Sequence, residues 1–383
     1  MRRRLASAAL LCTLSVVASA CTANGNAPLE GEIPIGVSIE QSGDSKVLGQ
    51  AELRAIQLVA DQINVKGVLG KRIKLVIEDN AGRPDKAKAT AESLISQGVA
   101  GIVGPGTSSA AQGALDLVEE KQMPMVTMGA ADGLVTGRQY VFKTPPNGAT
   151  VVEVLIKELV SSGTKTVGIL AVDNPYGSNS LAAIQKGVSQ AGLSVVNTKR
   201  FPESAGAKDL QDPVDALVAS KPDVVVVSSI MPWAAYAATA FKSANYKGRI
   251  FFDSGAGADL FIKGAKDSSE NTFMIQHQII AADHTTATTP SLLAQKEFFA
   301  AYTQRYGEFS GYASYAADAL NILVAAIRKA NSTDHQQVRD ALESLKWDGL
   351  TGSFEFGPKN HGGAEGDGLA VLTVQKGAWV LAP

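Results

Sequence analysis

Short β-branched runs alternate with stretches of helical spacing along this chain, and the alternation starts twice. The first run covers residues 33–39 and is short, apolar and rich in Ile and Val, as a strand buried on both faces must be. Residues 51–64 follow with Leu53, Ile56, Leu58, Val59 and Ile63 at helical intervals, and Gly67 and Gly70 stop the pattern. A strand at 73–78, a helix at 84–97 with Pro84 near its start, a strand at 99–103, a helix at 110–121 and a strand at 125–127 continue the series. It then restarts, with helices at 150–161, 179–191, 210–219 and 233–243 and strands at 166–171, 194–197, 223–227 and 250–252. A βαβ series implies a parallel sheet with helices on both faces. Two such series predict an α/β chain of two lobes. The last hundred residues break the pattern, with long helices at 292–306 and 315–330, a shorter one at 335–345, and late strands at 353–356 and 369–375. These elements must complete lobes begun earlier, so the chain crosses between lobes more than once.

A length of 383 residues allows two or three domains at roughly 100–200 residues each. With 35 basic against 37 acidic residues there is no excess of positive charge, so nucleic acid is not an expected partner. Four His and two Cys leave few residues for a Zn or Fe–S site, and no metal or cofactor is expected.

The N-terminus reads as an export signal over residues 1–20. Arg2, Arg3 and Arg4 precede an apolar run at 5–17 that is too short to span a bilayer, and Ala18-Ser19-Ala20 lead into Cys21. Small residues directly before a Cys resemble a bacterial lipobox, with Ala18 where Leu is usual. The resemblance implies cleavage before Cys21 and a lipid on its sulfur; the alternative is an ordinary secreted protein with an incidental Cys. Cleavage there leaves 32 basic and 37 acidic residues, a net charge of −5, and one Cys, so no internal disulfide. Residues 21–32, small and polar with Gly25, Pro28 and Gly31, read as a tether between membrane and folded body.

Several segments, in order, resemble the type I periplasmic binding proteins of the branched-chain amino acid (Leu/Ile/Val-binding-like) family, the solute receptors of ABC importers. They are Ile35-Gly36-Val37-Ser38-Ile39 with Ser42-Gly43, Asp61-Gln62-Ile63-Asn64, Leu75-Val76-Ile77-Glu78-Asp79-Asn80, Val103-Gly104-Pro105 with Thr107-Ser108-Ser109, Pro124-Met125-Val126-Thr127, Asp173-Asn174-Pro175-Tyr176-Gly177, and Tyr315-Ala316-Ala317-Asp318-Ala319. The resemblance runs from about residue 33 to the C-terminus. It implies two Rossmann-like lobes joined by three crossovers, with one small ligand clamped between them by closure. The lobes are expected at 33–145 plus about 278–346, and at 146–277 plus about 347–383. It also implies a non-enzymatic monomer on the outer face of the cell membrane, serving ABC permease subunits. A sensing module that reports to a membrane partner would use the same lobes.

The cleft candidates follow from the same match. Thr107-Ser108-Ser109 lies between a strand and a helix, where unsatisfied N–H groups and the helix dipole favour an anion. Ser108 and Ser109 match the family's carboxylate-binding serines; plain N-capping is the alternative. Ala130 and Ala131 match a second carboxylate-holding segment, with Ala131 where a Thr is usual. Tyr176 matches a cleft Tyr. Asp253-Ser254 stands where the family carries the Glu that binds the ligand ammonium. Either Asp253 takes over that charge, or the ligand is not an α-amino acid. A second family Tyr falls near Met231, with Trp233 close by as a packing substitute. Ser42, Asp44 and Leu48 are the remaining candidates, Asp44 as an anionic partner or a solvated loop acid.

A rival reading is a serine hydrolase. Gly106-Thr107-Ser108-Ser109-Ala110 comes close to the G-x-S-x-G elbow, and Asp318 and His361 follow in the order acid, His. Its last Gly is Ala110, and His277, His284 and His335 show no metal or triad spacing, so they are expected as surface or packing residues.

Overall fold

The computed structural model describes residues 29–257 and 259–383. The expected signal, Cys21 and most of the tether lie outside the described residues.

The first lobe is built from β1 (Glu32–Ile39), α1 (Lys46–Lys66), β2 (Arg72–Asp79), α2 (Pro84–Ser96), β3 (Ile102–Val103), α3 (Ser108–Glu120), β4 (Met125–Thr127) and β5 (Val141–Lys143). Its five strands lie in the order β2-β1-β3-β4-β5, and every pairing is parallel. The second lobe holds α4 (Gly148–Ser161), β6 (Thr166–Asp173), α5 (Pro175–Gln190), β7 (Ser194–Pro202), α6 (Gln211–Ala219), β8 (Val224–Ser228), α7 (Trp233–Ser243), β9 (Arg249–Phe252), α8 (Asp259–Ala265) and β10 (Phe273–His277). The chain then forms α9 (Pro290–Tyr306), α10 (Gly311–Ala330), α11 (His335–Glu343), β11 (Lys346–Gly349), β12 (Gly352–Glu355), β13 (Leu369–Gln375) and β14 (Ala378–Leu381). The second sheet runs β14-β13-β10-β9-β8-β6-β7, and β13 and β14 are its antiparallel members.

Both sheets place their first strand between the second and third, so each has a switch point where successive connections leave in opposite directions. A doubly wound sheet binds ligands at that point, outside the C-terminal strand ends. The four consecutive Val of β8 are all buried, which explains why this strand is apolar without alternation.

The chain crosses between lobes three times, after β5, after β10, and between β12 and β13. Helices α9 and α10 pack on α1 of the first lobe, and α11 packs on α10. Hairpin β11–β12 sits where the last change of lobe was expected. Asp318 of α10 accepts hydrogen bonds from Leu350 N and Thr351 N at the hairpin's turn, at 2.8 and 2.9 Å, so the chain is still anchored to the first lobe there.

Lys143 marks the first crossover. Its side chain is wholly buried, and its ammonium donates to Asp132 Oδ1 at 3.0 Å and to the carbonyls of Ala130, Pro145 and Pro146 at 3.1–3.2 Å. Asp132 also accepts from Gly148 N at the start of α4, which ties the first lobe to the first helix of the second.

Candidate functional site

The loops that leave the C-terminal ends of β3, β4, β6, β7, β8 and β9 converge from both lobes. They enclose a cavity of about 530 Å³ of atom-free space, partly open to solvent, with Gly106–Ser108, Met128, Asn174, Tyr176, Glu203, Ile230, Ser254 and Gly255 on its wall. Helix α1 adds Leu48 and Glu52, and α10 adds Tyr312 and Tyr315. A polar-edged cavity of this size between two lobes suits one small molecule.

Thr107 caps α3, its Oγ1 accepting from Ala110 N at 3.3 Å. Ser108 Oγ accepts from Ala131 N at 3.1 Å, and Ser109 Oγ donates across the cleft to Glu203 Oε1 at 3.1 Å. Asn174 holds the same oxygen at 2.5 Å while its own Oδ1 accepts from Gly177 N at 2.8 Å, so one residue caps α5 and orients Glu203.

Of the expected cleft residues, Leu48, Ser108, Ala130, Tyr176 and Ser254 line this cavity. Asp253 does not. Its carboxylate accepts from Ser180 Oγ at 3.0 Å and Gly255 N at 3.2 Å, and it lines a neighbouring space of about 510 Å³ with Val151, Leu155, Phe252 and Tyr176. Burial raises its pKa against those hydrogen bonds. Ser42 and Asp44 sit on an exposed turn away from the cavity, and Ser42 Oγ donates to Asp79 at 2.6 Å. Trp233 is buried in the core and donates its indole N–H to Ala205 O, because an indole buried in an apolar core must satisfy that donor. Met231 is buried beside it, and Met231 N donates to Tyr312 Oη at 3.3 Å. The hydroxyl absent from the Ile230-Met231 segment is thus supplied from α10.

Three acids were not foreseen. Glu40, at the end of β1, accepts from Gly106 N, Thr107 N and Thr107 Oγ1 at 3.0–3.1 Å. Glu52 is 1% exposed and its Oε2 has no hydrogen-bond partner. Both carboxylates crowd Gly106, where an added Cβ would stand 2.1 Å from Glu52 Oε2 and 2.7 Å from Glu40 Oε2. Burial, and then the charge of Glu40, push the Glu52 carboxyl well above its ordinary range; burial also raises Glu40, against four hydrogen bonds. Glu203 is the third.

The hydrolase reading fails on geometry. His361 stacks on Phe142 with ring centroids 4.0 Å apart, its Nδ1 lies 3.1 Å from Val141 O, and Asp318 is spent on the β11–β12 turn. Ser108 has neither as a partner. Among the described residues no group of His, Cys, Asp and Glu has the arrangement of a metal site.

Two α/β lobes whose strand-end loops meet around a cavity have the architecture of a protein that holds a small molecule between them. The chain belongs to the periplasmic binding protein family, whose model matches residues 32–378. It is 26% identical over 345 residues to the Leu/Ile/Val-binding protein homolog 7 of Brucella abortus, covering 84% of this chain and 83% of that one. It is 26% identical over 342 residues to the leucine-, isoleucine-, valine-, threonine- and alanine-binding protein of Pseudomonas aeruginosa, covering 85% and 84%. The fold superposes on an extracellular ligand-binding receptor from Rhodopseudomonas palustris HaA2 with a TM-score of 0.85 at 24% identity, covering 92% of this chain and all of that one. The isoleucine complex of the branched-chain amino acid transporter substrate binding protein LivJ from Streptococcus pneumoniae gives 0.78 at 23% identity, covering 92% and 99%. Members of the family are extracytoplasmic, bind small ligands without transforming them, and work with ABC permeases. Among the described residues no helix is long and apolar enough to cross a membrane.

Proposed function

We propose that this protein is the lipid-anchored solute receptor of an ABC importer, tethered through Cys21, and that it captures one small molecule by closing its lobes. The observation that carries the reading is the cavity whose wall comes from both lobes, spanned by the Ser109–Glu203 hydrogen bond. A ligand in that position touches both lobes only when they are closed, so its binding energy biases the open–closed equilibrium. The first-turn N–H groups of Ser108 and Ser109 have no intrahelical acceptor and offer an anion end for a carboxylate. The Pseudomonas aeruginosa relative is named for binding leucine, isoleucine, valine, threonine and alanine, which makes such molecules and related acids or amides the first candidates. The anchorage of the β11–β12 turn by Asp318 favours counting the hairpin with lobe one, at 33–145 and about 278–356, and lobe two at 146–277 and about 357–383.

The test is a thermal-shift screen followed by calorimetry. A true ligand binds only the folded protein and raises its midpoint. A ligand bound by the wild type and weakened at least tenfold in the double variant Ser108→Ala/Ser109→Ala supports hydroxyl contacts beside those N–H groups at the carboxylate end; equal affinity removes the hydroxyls from it, since the variant keeps both backbone N–H groups. Metabolic labelling with a palmitate analogue should mark the wild type and not Cys21→Ser, and equal labelling refutes the anchor.

A further inference from the structure

We propose that the cleft seats a cationic ligand group, an ammonium or guanidinium, against Glu52 of α1 and Glu203 after β7. The inference rests on the receptor reading above and identifies the end of the ligand that the sequence left open.

The charges on the wall have one sign. Glu52 and Glu203 line the cavity, Glu40 stands behind Gly106, and among the described residues no Lys, Arg or His is on the wall. Lys143 is not a lining residue and is already held by Asp132 and three carbonyls. A buried carboxylate oxygen is costly without a donor, and a second carboxylate beside it raises the cost. Glu40 has three donors from the Gly106-Thr107 turn, whereas Glu52 Oε2 has none, and Glu52 is part of the cavity wall. An ammonium or guanidinium brings the missing donors and the opposite charge together.

The rest of the wall suits the same guest. Tyr176, Tyr312 and Tyr315 surround the cavity, and aromatic rings attract cations through their quadrupoles. Two of them are fixed by their hydroxyls to the second lobe: Tyr312 donates to Gly255 O, and Tyr315 donates to Gln276 Oε1 at 2.9 Å. These bonds hold the rings at the cavity in the closed arrangement of the lobes. Asp253, beside Ser254 in the segment where the family resemblance puts the ammonium partner, is engaged with Ser180 behind Tyr176. The cation is thus read by Glu52 of the first lobe and Glu203 of the second rather than by Asp253.

The experiment uses the full mature chain and two sets of probes of similar size. The cationic set is L-leucine, L-lysine, cadaverine and agmatine; the set without a cation is 4-methylpentanoate, pentanoate and pentanamide. At least one cationic member is expected to raise the melting temperature and bind in calorimetry. That affinity should fall at least tenfold in Glu52→Gln and also in Glu203→Gln, whose half-buried site makes a folding failure avoidable. Binding confined to the probes without a cation overturns the cation site and leaves the receptor reading standing. A cationic probe that binds both Gln variants as tightly as the wild type does the same. Binding by no probe of either set counts against both readings.

Discussion

His277 should make the folded protein sensitive to mild acid. It ends β10 where the chain leaves the second sheet, is fully buried, and has no hydrogen-bond partner on either ring nitrogen; its nearest ring is that of Tyr315, edge-on at 5.3 Å. Burial pulls its pKa from 6.5 down to about 3, opposed only by the charge of Asp367. The unfolded chain therefore binds a proton in the window between 6.5 and 3 that the folded chain refuses, and stability falls as pH falls through that window. At pH 5 the unfolded His is almost fully protonated and the folded one is not, which costs about 2 kcal/mol; by pH 3 the cost approaches ~5 kcal/mol. His277→Leu removes the titration and both unpaired nitrogens at nearly the same volume. Urea unfolding at pH 7.5 and pH 5.0 should show the variant at least as stable as wild type at the higher pH. At the lower pH its advantage should widen by about 2 kcal/mol. Parallel losses in both proteins would show that His277 reaches a proton or a partner in the folded state, and the argument would fall.

Two further substitutions test the buried charges. Lys143→Met leaves Asp132 and three carbonyls without their shared donor and should cost about 3–5 kcal/mol in denaturant unfolding; a loss below 1 kcal/mol would mean that water replaces the ammonium. Asp318 has its pKa raised by burial from 3.8 to about 6, against hydrogen bonds from Leu350 and Thr351. Its sign is opposite to that of His277, since the folded chain holds the proton longer and stability falls as pH rises from 3.8 to 6. Relative to wild type, Asp318→Asn should gain up to about 3 kcal/mol across that window, and a pH-independent difference would contradict it.

Elements with a single dominant signal were legible in the sequence. Strand β1 is rich in Ile and Val, β8 carries four consecutive Val, and α2 begins with Pro84 as expected, whereas α5 begins at Pro175, one turn before the expected start at 179. Two of the missed strands, β5 and β10, lack that signal for a physical reason. Strand β5 has three residues and ends in Lys143, and β10 ends in Gln276 and His277. Each carries polar groups into the interior at a crossover, where the lobes bury them, and no local pattern distinguishes such a residue from a solvated one. The same holds for Asp253, whose partner Ser180 lies 73 positions away in the chain.

Glu52 was hidden by a helix start read one turn too late. A helix beginning at Ala51 puts Glu52 in its first turn, where an acid is expected to complement the dipole and face water. Helix α1 begins at Lys46, and Gly49 is what obscures this, since glycine argues against helix interior. Gly49 is there because α1 lies against the end of β1: a Cβ would stand 2.1 Å from Glu40 O. With the extra turn, Leu48, Glu52, Ala55, Ile56, Val59 and Ile63 fall on one buried stripe, and Glu52 becomes a carboxylate in an apolar face. That close approach also brings Glu40 and Glu52 to Gly106 together. One small residue thus lengthens the helix, buries the acid and joins it to a second. The acidic wall of the cleft therefore follows from backbone packing between α1 and β1, which no spacing of charged residues in the sequence displays.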